Sequence, residues 1–147
     1  MSALRIVAAF LLGVIAAVVA AVVFYSHQTL NEYAQMGVSF SLAQQLGVVK
    51  QNMTDFAPLY GSVIAIALFV GFIVAALLKR VLRPLATVAY PIAGATAIIA
   101  TIVIIDAALF GGGATMLPGA AGPIGLGLQG VAGLIGGVVF EMARPKS

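Results

Sequence analysis

LATVAYPIAGATAIIATIVIIDAALF, residues 85–110, carries one charged side chain, Asp106. The run is longer than the ~20 residues a helix needs to cross the ~30 Å hydrocarbon core of a bilayer. At ~100° per residue, Ala86, Ala89, Tyr90, Ala93, Ala97, Ala100 and Thr101 share one side of such a helix. Val88, Ile92, Ile99 and Ile102 fall on the other. Small side chains let neighbouring helices approach closely, and bulky β-branched ones suit lipid. The alanine side is therefore expected to face protein.

Three further apolar stretches, 6–25, 56–78 and 122–141, have similar length and similarly few charges. The expected fold is all-α: an integral membrane four-helix antiparallel bundle, one transmembrane domain over 1–147, with a short amphipathic helical outer loop at 26–55. Composition points the same way. Soluble domains are about a quarter charged and about half apolar, whereas here 7% of residues are charged and 63% hydrophobic. So few charges cannot give a globule a polar skin. The first stretch exceeds the 7–15 residues of a signal-peptide core, and no A-x-A site follows it, so it reads as a retained anchor.

The net charge of +3 belongs to topology rather than to nucleic acid. Arg5, Lys79, Arg80, Arg83, Arg144 and Lys146 flank span ends, and no basic stripe alternates with aromatics. With both termini cytoplasmic, only Lys50 falls outside, as the positive-inside rule favours. A cell membrane, the bacterial inner membrane first, is the expected location, with lipid and other membrane subunits or sister copies as partners.

Two capping-box patterns, Thr29 with Glu32 and Ser41 with Gln44, punctuate the outer loop. After the second, Leu42, Leu46, Val49 and Met53 recur at helical spacing, which predicts a short amphipathic helix lying on the outer membrane surface or capping the bundle. The connection at 79–84 is tight, with Pro84 at the start of the third span and Pro91 expected to kink it. The third connection, 111–121, is dense in glycine and reads as an outer turn or a small re-entrant segment.

Every span carries a row of small residues four apart. Gly13 and Ala17 mark the first row, Gly71 the second, Ala93 and Ala97 the third, Gly133 and Gly137 the fourth. These seven are the expected packing positions.

Few residues offer chemistry. Asp106 lies near the outer end of its span on the bulky side, where a carboxylate snorkels to water; partner contact or an ion pathway is the functional alternative. Gln129 sits on the glycine side of the fourth span, where its amide can bond across helices, with Thr101 at comparable depth as the expected partner. Tyr25 and Tyr60 read as interfacial anchors. Glu141 can pair with Arg144 or Lys79. His27 is the sole histidine and there is no cysteine, so neither a thiolate site nor a convergent metal site is expected, and no cofactor. No H-E-x-x-H, G-x-S-x-G or Walker pattern occurs. The expected role is therefore non-enzymatic: an accessory or scaffold subunit, or a homo-oligomer, acting through helix contacts. A small-solute or ion channel or transporter is the alternative, with a pore between subunits and Asp106, Gln129 and Thr101 along it.

Overall fold

The computed structural model describes residues 2–111 and 122–146, and these form four helices. They are α1 (Ser2–Gln35), α2 (Leu42–Val81), α3 (Ala89–Phe110) and α4 (Gly122–Ala143), with one tight turn at Arg83–Leu85 between α2 and α3. All four are long and apolar enough to cross a membrane. The glycine-dense segment expected to turn or re-enter lies, beyond Gly111, outside the described residues.

The first two helices run well past the boundaries expected from apolarity. At 1.5 Å per residue α1 is about 51 Å long and α2 about 60 Å, against about 33 Å for each of α3 and α4. Nothing from Tyr25 to Gln35 breaks a helix, so α1 continues through Thr29 and Glu32 and no capping box forms there. It stops at Gly37, whose φ of +83° suits a residue without Cβ. Gly37 N–H donates to the Ala34 carbonyl and Val38 N–H to that of Tyr33, the paired bonds of a Schellman ending.

The second capping box is formed. Gln44 N–H donates to Ser41 Oγ at 3.3 Å and Ser41 N–H to Gln44 Oε1 at 2.9 Å. What it opens is α2 itself. The separate surface helix expected at 42–53 is a correction: those residues are the first turns of one unbroken helix, with Leu42 and Leu46 exposed rather than packed. The 26–55 loop thereby shrinks to the reversal at 36–41. From the sequence Pro58 reads as an N-terminal turn of the second span, but it lies inside α2, and its carbonyl accepts from Ser62 Oγ at 2.7 Å. Pro91 moves the other way. Because α3 begins at Ala89, Pro91 sits in the first turn, where a missing N–H leaves no bond unmade.

Contacts at successive levels show adjacent helices running in opposite directions. Along α1 and α2, Phe10 meets Phe69, Gly61 lies against Val18, and Ser26 bonds Asn52. Along α1 and α4, Gly13 lies against Gly136 and Ala21 bonds Gln129. Along α3 and α4, Tyr90 lies against Gly137, Gly94 against Gly133 and Ile99 against Gly130. Gly71 of α2 touches Ala93 and Ala97 of α3. Thus α1 and α3 each pack on both α2 and α4, while the backbones of α2 and α4 stay apart and are bridged by side chains.

The seven small residues singled out in the sequence all lie at these crossings. Ala17 is fully buried beside Gly136, and a methyl added at Gly13 would stand 2.8 Å from the Gly136 carbonyl oxygen. The expectation about α3 is corrected in part. Ala93 and Ala97 do face protein, against Gly71 of α2, while the closest approach to α4 uses Gly94. Ile99 and Ile102, assigned to lipid, pack inward against Gly130 and the core, while Ala100 is exposed. Glycine permits the shorter interhelix distance, so it decided which side of α3 faces α4.

Candidate functional site

Polar side chains gather at two depths. At the first, Gln129 is 1% exposed, its amide enclosed by α1, α2 and α4. Its Oε1 accepts from the Tyr60 hydroxyl at 2.7 Å and its Nε2 donates to the Ala21 carbonyl at 3.3 Å. Two turns nearer the α1–α2 reversal, Asn52 Nδ2 donates to the fully buried Ser26 Oγ at 2.9 Å. Buried polar atoms stay affordable only when bonded, because an unmade bond costs ~1–3 kcal/mol. These two links therefore fix the helices in register as well as holding them.

Sequence reasoning placed Gln129 correctly on the glycine face but gave it the wrong partner. Thr101 makes no bond to it. It lines a small void beside Tyr60 and the outer seam of α2 and α3. The signal for Tyr60 was present. Tyr60, Ile64, Ala67, Gly71 and Ala75 repeat at four and three, so Tyr60 shares the inward face of α2 rather than anchoring at an interface.

Asp106 is half-buried, and its Oδ1 is covered yet accepts no hydrogen bond among the described residues. Asp106 and Thr101 are five residues apart on α3 and so point in different directions. With Gln129 enclosed, the three do not converge.

The second polar set lies at the end that holds the chain termini and the 82–88 connection. Glu141 Oε2 accepts from Lys79 Nζ at 3.1 Å and from Arg144 Nε at 2.9 Å, and its Oε1 from Arg144 Nη2 at 2.8 Å. Both cations lie over the Tyr90 ring, Lys79 Nζ at 4.3 Å and the Arg144 guanidinium at 5.2 Å from its centre. The bond to Glu141 raises the Arg144 pKa above its ordinary value, so the guanidinium stays charged. Tyr90 in turn stands edge-on to Phe72 and Phe140, which stack on each other at 4.6 Å. One charged cluster thus ties α2, α3 and α4 to the aromatic core. The sequence named both partners of Glu141 as alternatives; the structure uses both at once.

The chain matches no family model, no curated protein and no solved structure. Among the described residues, no three His, Cys, Asp or Glu side chains converge as a metal site would require. A groove of about 720 Å³ runs along the outer seam of α2 and α3, almost wholly apolar, with Lys79 at one end.

Proposed function

We propose that this chain is a multi-pass membrane protein, an antiparallel four-helix bundle serving as an accessory or scaffold subunit of a membrane assembly, or as a homo-oligomer. The observation that carries this reading is how its polar groups are used. Tyr60, Gln129, Ser26 and Asn52 are bonded helix to helix, and so are Lys79 and Glu141. Chemistry held this way positions helices rather than acting on a substrate. Large apolar side chains cover the outside of all four helices, among them Leu4, Ile15, Ile66, Ile104 and Ile124. Such a surface fits lipid and neighbouring subunits.

In a bilayer of ordinary thickness, α1 and α2 outreach α3 and α4, and the reversal at 36–41 stands clear of the hydrocarbon. Met36, Leu42 and Leu46 are exposed there at 68%, 73% and 62%. That tip is the surface a partner's extramembrane part would meet. The clustering of Arg5, Lys79, Arg80, Arg83, Arg144 and Lys146 at the opposite end supports cytoplasmic termini in a cell membrane. A pore between subunits has less support, since Gln129 is enclosed and Asp106 and Thr101 face apart.

Mild detergent extraction followed by native mass measurement and co-purification tests the reading. A stable oligomer or a stoichiometric partner is expected, and a strictly monomeric, partnerless protein overturns it. A reporter fused to the carboxyl terminus should be active on the cytoplasmic side only.

A further inference from the structure

We propose that the outer seam of α2 and α3 binds one anionic phospholipid, with an acyl chain in the groove and the headgroup on Arg80 and Arg83. This rests on the membrane reading above. The floor of the seam is closed where Gly71 meets Ala93 and Ala97. Outward of that line the two helices part, and Val70 and Val74 on one side and Ile92 and Ala100 on the other flank an open trough of about 720 Å³. Thr96 belongs to its wall, but its hydroxyl donates back to the Ile92 carbonyl at 2.8 Å, so that polar group is already satisfied. Along the trough the surface on offer is almost wholly apolar.

The end of the trough is different. Leu82 and Leu85 form its lip, and Lys79 lies beside them. Arg80 and Arg83, the sequence neighbours of Lys79 and Leu82, are exposed and form no ion pair among the described residues. The carboxylate at this end, Glu141, is already shared between Lys79 and Arg144. Lys79 Nζ has three protons and uses one of them on Glu141. Positive charge is therefore uncompensated where the trough opens, at the level of a lipid headgroup.

An apolar slot with cations at one end is complementary to an amphiphile with one anionic end. A neutral lipid would leave the charge unmatched, and a free phosphate would leave the slot empty. A partner helix would fill the slot without a reason for the two arginines. Basic clusters between helices at the cytoplasmic face are known to favour anionic headgroups.

The test uses the full chain, delipidated in a neutral detergent and titrated with phosphatidylglycerol, phosphatidylcholine or inorganic phosphate, with adducts counted by native mass spectrometry. One phosphatidylglycerol per chain is expected at roughly tenfold lower concentration than phosphatidylcholine. Arg80→Gln with Arg83→Gln should erase that preference by about the same factor, and phosphate should give no retained adduct. Thr96→Phe, which blocks the trough from an exposed position, should weaken both lipids. Circular dichroism checks that each variant is folded, and the exposed arginine pair keeps the test decisive should Thr96→Phe misfold. Equal binding of the two lipids, an unchanged double variant or retained phosphate alone overturns the proposal. If the chain also washes off membranes at high pH, the membrane reading falls with it; if it stays in the membrane, only the lipid site falls.

Discussion

The seams on either side of α3 are built on opposite terms. Toward α4, Gly94 and Gly133 bring the two backbones together with no side chain between them, and Gly137 receives the Tyr90 carbonyl in the same way. Toward α2, Gly71 touches two alanines along a single line, and the helices then diverge into a groove. The apolar stretch of α4 is 44% buried and that of α3 only 11%, which makes α4 the hub and leaves α3 half-clothed. Equal small-residue content does not give equal packing. What matters is whether the small residues of two helices meet face to face.

The largest loss should come from the tight seam. A side chain at Gly133 would run into the backbone of Gly94, which no rotamer can relieve. Gly133→Leu should cost about 3 kcal/mol or more, read as a lowered unfolding midpoint in detergent. Gly127→Ala, with nothing within 4 Å of the added methyl, should match or slightly exceed the native chain. If the two variants behave alike, α4 is not the hub.

Gln129→Leu should come next. It leaves the Tyr60 hydroxyl buried without an acceptor, at a cost of about 1–3 kcal/mol. Adding Tyr60→Phe should recover part of that loss, and a double-mutant cycle with no coupling would remove the bond from the account. Glu141→Gln should lose about 1 kcal/mol, less at high salt, because it weakens the ties to both Lys79 and Arg144. Smallest of all, Ala100→Leu on the open seam should stay within about 0.5 kcal/mol of native stability.

Much of this was written in hydropathy. Four apolar stretches and four rows of small residues are one-dimensional signals, and the helices and their crossings follow them. Helix ends did not follow, because apolarity reports the solvent whereas backbone continuity reports the lack of a breaker. The segment from Tyr25 to Gln35 is polar and still helical, and Ser41 caps a helix much longer than the amphipathic pattern after it suggested. The facing of α3 was legible in part. Ala93 and Ala97 do face a neighbouring helix, α2, yet the tighter seam, toward α4, runs through Gly94, which permits contact at backbone range. Gln129 was legible as a buried amide from its glycine neighbours. Its partner was not, since Tyr60 is remote in sequence and aromatic at a position where anchors are common.

The reversal between Gly37 and Ser41 is held by its own capping bonds, and residues 37–39 are exposed. That makes it a natural handle. A peptide epitope or a dye grafted there would ride on two long rods without touching their packing, and its reach by antibody or quencher from one side would report which way up the molecule sits.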